Sequence, residues 1–137
     1  MKKDLTAEFR NQPEPFSSLV GLAIEEVRPD FCRMRLPFRA ELRTSGTVIH
    51  GGAIATLIDT AAVVAVWSDA DPIATRGATA SMTVNYLAAA QSVDLIAEAQ
   101  VIRRGRSVVF ADVDVFSPTE ERIAKGLVTY KLGRGAK

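Results

Sequence analysis

The sequence predicts an α+β fold: an antiparallel β-sheet wrapped around one long central α-helix. Two observations carry this. Residues 53–67 are apolar nearly all round and rich in alanine, the pattern of a buried helix. Both flanks read as strands with alternating apolar and polar residues, two before this run and four after it. Strands grouped around a single helix describe an α+β architecture. A helix that is apolar on every side needs cover on nearly every side, and one sheet curled around it is the economical way to supply that cover.

The elements follow in chain order. Residues 1–15 are predicted as a polar arm or short helix, stopped by Asn11-Gln12-Pro13-Glu14-Pro15. Val20, Leu22 and Ile24 alternate with Gly21, Ala23 and Glu25, a strand pattern ending at Pro29-Asp30. The next run puts Cys32, Met34, Leu36 and Phe38 on one face and Phe31, Arg33 and Arg35 on the other, which completes a hairpin. Cys32 therefore reads as a small core hydrophobe and not as a nucleophile. Residues 39–50 form a loop, His50-Gly51-Gly52 opens the helix, and Ser68-Asp69-Ala70-Asp71-Pro72 stops it. In residues 73–87, Ala80, Met82, Val84 and Tyr86 fall on one face, with Thr79, Ser81, Thr83 and Asn85 on the other. Leu95, Ala97, Ala99 and Val101 mark the next strand, and Arg103-Arg104-Gly105-Arg106 a tight turn. Val109, Ala111, Val113 and Val115 then continue an inward face, and residues 122–132 form the last strand.

Composition narrows the function. The 137 residues are 47% apolar and 24% charged, which suits a single domain spanning 1–137 with a real core. Lys+Arg 17 against Asp+Glu 16 gives a net charge of +1, too balanced for a protein that grips nucleic-acid phosphates. The longest uninterrupted apolar run, residues 61–67, is far short of a membrane span, and no apolar segment of signal-peptide type follows Met1-Lys2-Lys3-Asp4. With one cysteine there is no intrachain disulfide, and a cytoplasmic setting is expected. One His and one Cys cannot build an ordinary zinc site, so no metal is expected. Asp112 and Asp114 share a strand face and read as solvated sheet surface, not as a catalytic pair.

Asp59 stands apart. It is the only charge between His50 and Asp69, too far into the helix to be an N-cap. A buried carboxylate is costly unless it is paired, bonded or functional; alternatively, Asp59 faces water along a stripe with Thr56 and Thr60. The second feature is the helix entrance. Gly51 and Gly52 lack a Cβ where backbone N–H groups are free, so a carbonyl can approach amide donors and the positive helix end. The plainer account is a Gly-Gly turn with His50 bonding the loop. Gly51 and Asp59 are about 12 Å apart along one helix, too far to serve one carbonyl. Either they do not cooperate, or two antiparallel copies face each other in a C2 dimer, where Gly51 of one chain meets Asp59 of the other.

These residues resemble the hotdog-fold thioesterases of the phenylacetyl-CoA thioesterase (PaaI) type. His50-Gly51-Gly52-Ala-Ile-Ala-Thr-Leu-Ile-Asp59-Thr-Ala is similar to that family's H-G-G-x-x-x-x-L-x-D-x-A. The resemblance continues through Ala78-Thr79-Ala-Ser-Met-Thr-Val-Asn85-Tyr86-Leu87, Ala99-Gln-Val-Ile-Arg103-Arg-Gly105-Arg106 and Ile123-Ala124-Lys-Gly126. It implies acyl-CoA hydrolysis in a homodimer or homotetramer, with no cofactor. Asp59 takes the catalytic carboxylate role, Gly51 supplies the polarising amide, His50 orients the site, and Thr79 matches a hydroxyl residue near the attacking water. Tyr86 and Leu87, with Arg103, Arg104, Gly105, Arg106 and Ser107, match segments that hold the CoA part of the substrate. Guanidinium groups suit phosphates, although a solvated hairpin explains the same turn. Two departures stand out: Thr44 where the family often has Asn, and Tyr86-Leu87-Ala88-Ala89 where Phe-Leu-Arg-Pro is common. The alternatives are a non-catalytic acyl-CoA-binding or sensing domain and an enoyl-CoA hydratase or dehydratase. Val63, Val64 and Trp67 either line an acyl tunnel or are simply core.

Overall fold

The computed structural model describes residues 14–134. Its elements run α1 (Pro15–Val20), β1 (Ala23–Arg28), β2 (Phe31–Leu36), α2 (Gly51–Trp67), β3 (Ala74–Tyr86), β4 (Leu95–Arg104), β5 (Val108–Phe116) and β6 (Arg122–Arg134). The six strands form one antiparallel sheet in the order β1-β2-β4-β5-β6-β3. This is the predicted succession of two strands, a helix and four strands.

The start of the chain departs from the sequence reading. The arm predicted for residues 1–15 lies almost wholly outside the described residues. Pro15, read as part of a helix stop, instead occupies the first turn of α1, where its missing N–H costs nothing and its fixed φ suits the helix. Val20 ends that helix instead of opening a strand, because Gly21 adopts φ 92 and terminates it with an N–H bond to Ser17 O.

Central position follows composition. Strand β4, apolar on both faces over Leu95-Ile96-Ala97, lies between β2 and β5. The polar strand β3 does not neighbour β4 but pairs with β6 at an edge of the sheet. Cys32, Met34, Leu36, Val109, Ala111, Val113 and Val115 are fully buried on the inner face, as their alternation predicts. On the outer face Asp112 and Asp114 pair with Lys125, and Asp114 also with Arg122. They are ordinary ion-paired sheet surface.

Helix α2 lies across the inner face, chiefly against β2, β4 and β5 and only lightly against β3 and β6. It buries Ile54, Leu57, Ile58, Ala61, Ala62, Val64, Ala65 and Val66. The expected all-round cover is not supplied by one chain. Thr56, Asp59, Thr60, Val63 and Trp67 stay only half-buried, because a sheet lies on one side of a helix only. Among the described residues no helix is long and apolar enough to cross a membrane.

Two consequences are testable. A Cβ at Gly126 would lie 2.6 Å from Ile58 Cγ2, so the helix sits directly on the β6 backbone there. Gly126→Ala is expected to lower stability by about 1–3 kcal/mol, read from the urea midpoint. Burial pushes the Cys32 thiol up to about 12, so it holds its proton more tightly folded than unfolded. Its contribution to stability is intact at neutral pH and lost as pH rises toward that value. Labelling of native protein by a thiol reagent at neutral pH is accordingly expected only at the rate of unfolding.

Candidate active site

The entrance to α2 is built from backbone. His50 is the N-cap, and its Nδ1 accepts a hydrogen bond from the Gly52 N–H at 2.8 Å. A ring nitrogen that accepts carries no proton, so the imidazole N–H is on Nε2. The His50 carbonyl accepts from the Ala53 and Ile54 N–H groups. Of the first-turn amides, only the Gly51 N–H has no partner among the described residues. It stands at the positive end of the helix. Tyr86 packs beside it: the Tyr86 hydroxyl donates to the Gly51 carbonyl at 2.8 Å, and a Cβ on Gly51 would touch the Tyr86 ring at 3.3 Å.

A pocket of about 450 Å³ opens at this point. Its lining includes Val48, Ile49, Ile54, Leu87 and Ala88 besides Gly51 and Tyr86, and none of it is charged. Ligand pockets are commonly of this size and this apolar. Tyr86 and Leu87 form an exposed rim, 53% and 54% accessible. Val48, Ile49 and Ile54 were not singled out from sequence; the available signal was apolar residues flanking the His50-Gly51-Gly52 turn on both sides.

Asp59 sits two turns further on, in the half-buried stripe of α2. The Thr79 hydroxyl donates to Asp59 Oδ1 at 2.7 Å. Strict alternation assigns Thr79 to the face opposite Met82, Val84 and Tyr86, and the structure corrects this. Thr79 pairs with Tyr130 and Ser81 with Thr129, so Ala80 is an extra residue, a β-bulge. The bulge resets the alternation and turns Thr79 toward the helix. Tyr130, the cross-strand neighbour of Thr79, accepts a hydrogen bond from Trp67 Nε1 at 3.0 Å. Burial pushes the Tyr130 hydroxyl pKa up; the bond from Trp67 opposes this and the Asp59 carboxylate adds to it.

The structure does not gather the predicted CoA contacts in one chain. Tyr86 and Leu87 stand at the start of α2, whereas the turn at 103–107 meets its end, about 25 Å away along the helix. The Arg104 guanidinium is bonded within the chain, to Asp30 Oδ1 at 2.7 Å and to the Val66 carbonyl at 2.9 Å, tying the hairpin to the helix C-terminus. It turns inward because it pairs with Val109, on the inner face of β5. Arg103 and Arg106 are exposed and have no ion pair among the described residues. Gly105 closes the turn, where a Cβ would meet the Val108 carbonyl at 2.7 Å. Exposed Ser107 lends its carbonyl to the Leu132 N–H.

Comparison with known proteins identifies the family. The Thioesterase superfamily model matches residues 46–124, which include the helix entrance, Asp59 and Thr79. A Halobacterium salinarum protein named "Putative esterase" is 37% identical over 123 residues, 87% of this chain and 80% of that one. The structure of zebrafish thioesterase superfamily member 2 superposes with a TM-score of 0.82 at 27% identity, over 94% of this chain and 96% of that one. A conserved protein of Pseudomonas aeruginosa gives 0.82 at 28% identity, over 88% and 94% of the two chains. The chain belongs to the thioesterase superfamily: it has the hotdog fold and is a thioester hydrolase.

Proposed function

We propose that the protein hydrolyses acyl-CoA thioesters to the free acid and CoASH, at sites each shared by two subunits. The observation that carries this is one helix bearing a positioned carboxylate, Asp59 held by Thr79, and a first-turn amide, Gly51, with no partner among the described residues. Both are on the same helix about 12 Å apart, so one chain cannot bring them to one carbonyl. A second copy can. Strand β3 is a 13-residue edge strand with little burial on either face, and the adjacent stripe of α2 lacks full cover. Antiparallel association of two copies would cover both and set Gly51 of each against Asp59 of the other. A dimer of such dimers is the larger assembly open to it.

Asp59 accepts a proton from water as the water oxygen adds to the thioester carbonyl carbon, or its own oxygen attacks that carbon directly. In either case the carbonyl oxygen becomes an oxyanion facing the Gly51 N–H. Collapse breaks the C–S bond, and the thiolate takes back the proton held by Asp59 to become CoASH. In the direct-attack route it takes a proton from water, whose hydroxide then cleaves the acyl–Asp59 anhydride to the free acid and restores the carboxylate. Thr79 orients the carboxylate, and His50 holds the Gly52 amide and so the helix entrance. Tyr86 and Leu87 rim the pocket for the pantetheine arm; in the arginine turn, Arg103 and Arg106, without an ion pair among the described residues, are the cations for phosphates, while Arg104 bonds Asp30. A hydratase would need histidine and carboxylate as an acid–base pair, and the capping role of His50 speaks against that. A binding-only domain gives no reason for an oriented Asp59. The buried, unpaired Cys32 thiol fits a cytoplasmic setting.

Release of free thiol from a panel of acyl-CoAs tests the reading. Asp59→Asn, with an unchanged circular dichroism spectrum, is expected to lose about 10²-fold or more in kcat. Full activity in that variant would remove Asp59 from the mechanism. Thr79→Val keeps the carboxylate but not its hydrogen bond. It is expected to lose about 10-fold in kcat with KM little changed.

A further inference from the structure

Gly51 and Gly52 put two flexible backbone residues in the first turn of α2, where the N–H groups have no intrahelical partner. Such a turn frays unless groups outside the helix ladder fix its peptide planes. The structure holds the peptide unit joining Gly51 to Gly52 at both ends. Its carbonyl accepts from the Tyr86 hydroxyl at 2.8 Å, and its N–H donates to His50 Nδ1 at 2.8 Å. The preceding unit is fixed through the His50 carbonyl, which accepts from the Ala53 and Ile54 N–H groups. Both planes that meet at the Gly51 Cα are therefore set, and the direction of the Gly51 N–H with them. The missing side chains let the two holders close in. A Cβ on Gly52 would lie 2.9 Å from His50 Nδ1, and one on Gly51 3.3 Å from Tyr86 Oη.

Tyr86 is the last residue of β3, and its backbone end is rigid. It pairs with Ala124, and the next N–H, that of Leu87, donates to the Ile123 carbonyl at 2.8 Å. Its ring is exposed, so packing alone does not fix the ring's direction; the bond to Gly51 does. We propose that Tyr86 is a positioning residue, whose hydroxyl holds the Gly51–Gly52 peptide so that the Gly51 N–H is aimed before the substrate arrives. The inference rests on the acyl-CoA reading above, in which that N–H meets the oxyanion. A donor fixed in advance needs no reorganisation as negative charge develops. The ring and the hydroxyl then act on different kinetic constants. The ring lines the pocket assigned to the thiol arm, a contact made before and during reaction, and so bears on KM. The hydroxyl acts through the amide on the transition state alone, and so bears on kcat.

The test separates the two. Tyr86→Phe, with an unchanged circular dichroism spectrum, is expected to lose about 5-fold in kcat on the best acyl-CoA of the panel, with KM little changed. Tyr86→Leu removes ring and hydroxyl together, and is expected to lose the same in kcat and to raise KM. With isotope-labelled glycine carbonyls, the Gly51 carbon resonance is expected to move upfield in Tyr86→Phe as it loses its donor. An unchanged kcat in Tyr86→Phe, a loss confined to KM or an unmoved Gly51 carbonyl resonance would overturn the role of Tyr86. Loss of turnover in Asp59→Asn would meanwhile leave acyl-CoA hydrolysis intact. Absence of wild-type turnover on every acyl-CoA would overturn both.

Discussion

A helix apolar on all sides cannot be satisfied by one sheet. Leu57, Ile58, Ala61, Ala65 and Val66 are sealed against the strands, yet the row through Asp59, Val63 and Trp67 is left only half-covered. Apolar area in water is unfavourable in proportion to its extent, so this row is the unfinished part of the core. The one charge on the helix interior, Asp59, lies in it. Burial and chemistry are therefore two aspects of one constraint. The surface that still needs cover is the surface on which a carboxylate can meet an apolar substrate.

Positioning comes from a few close approaches. Gly126 lets α2 rest on β6 through Ile58, which sets the height of the helix above the sheet. Gly77 gives up its side-chain space to the Tyr130 ring. The bulge at Ala80 lies between them in the ladder and turns Thr79 inward. Without that extra residue the Thr79 hydroxyl would point to the outer face, and Asp59 would lose the donor that orients it. At the other end of the helix, Arg104 bonds Asp30 and the Val66 carbonyl, where a cation is favoured by the helix dipole. The fold uses that guanidinium to secure a hairpin, a role that a run of arginines in sequence does not reveal.

Much of the architecture was legible because burial imposes periodicity. Cys32-Met34-Leu36 and Val109-Ala111-Val113-Val115 alternate in sequence and are fully buried in the structure. The alanine-rich run at 53–67 is helical, and His50-Gly51-Gly52 opens the helix. Where a single residue resets the pattern, periodicity misleads. Gly21, through its positive φ, ends a helix that claims Val20 for itself, and Ala80 shifts Thr79 to the other face. Tyr130 carries no signal in sequence beyond membership of the last strand; its ring lies over Gly77 and against Trp67.

By itself the sequence determined the element order, the inward faces of the central strands, the buried Cys32, and the two chemical candidates, Gly51 and Asp59. These are local properties, set by side-chain period, by missing Cβ atoms and by a charge out of place on an apolar helix. Tertiary structure alone decided which partner each side chain meets: Thr79 with Asp59, Trp67 with Tyr130, Arg104 with Asp30, and β3 with β6 and not β4. Each of those contacts joins residues far apart in the chain. Their geometry depends on strand order, on one bulge and on how closely a helix approaches a sheet, none of which is written in the spacing of residues along the chain.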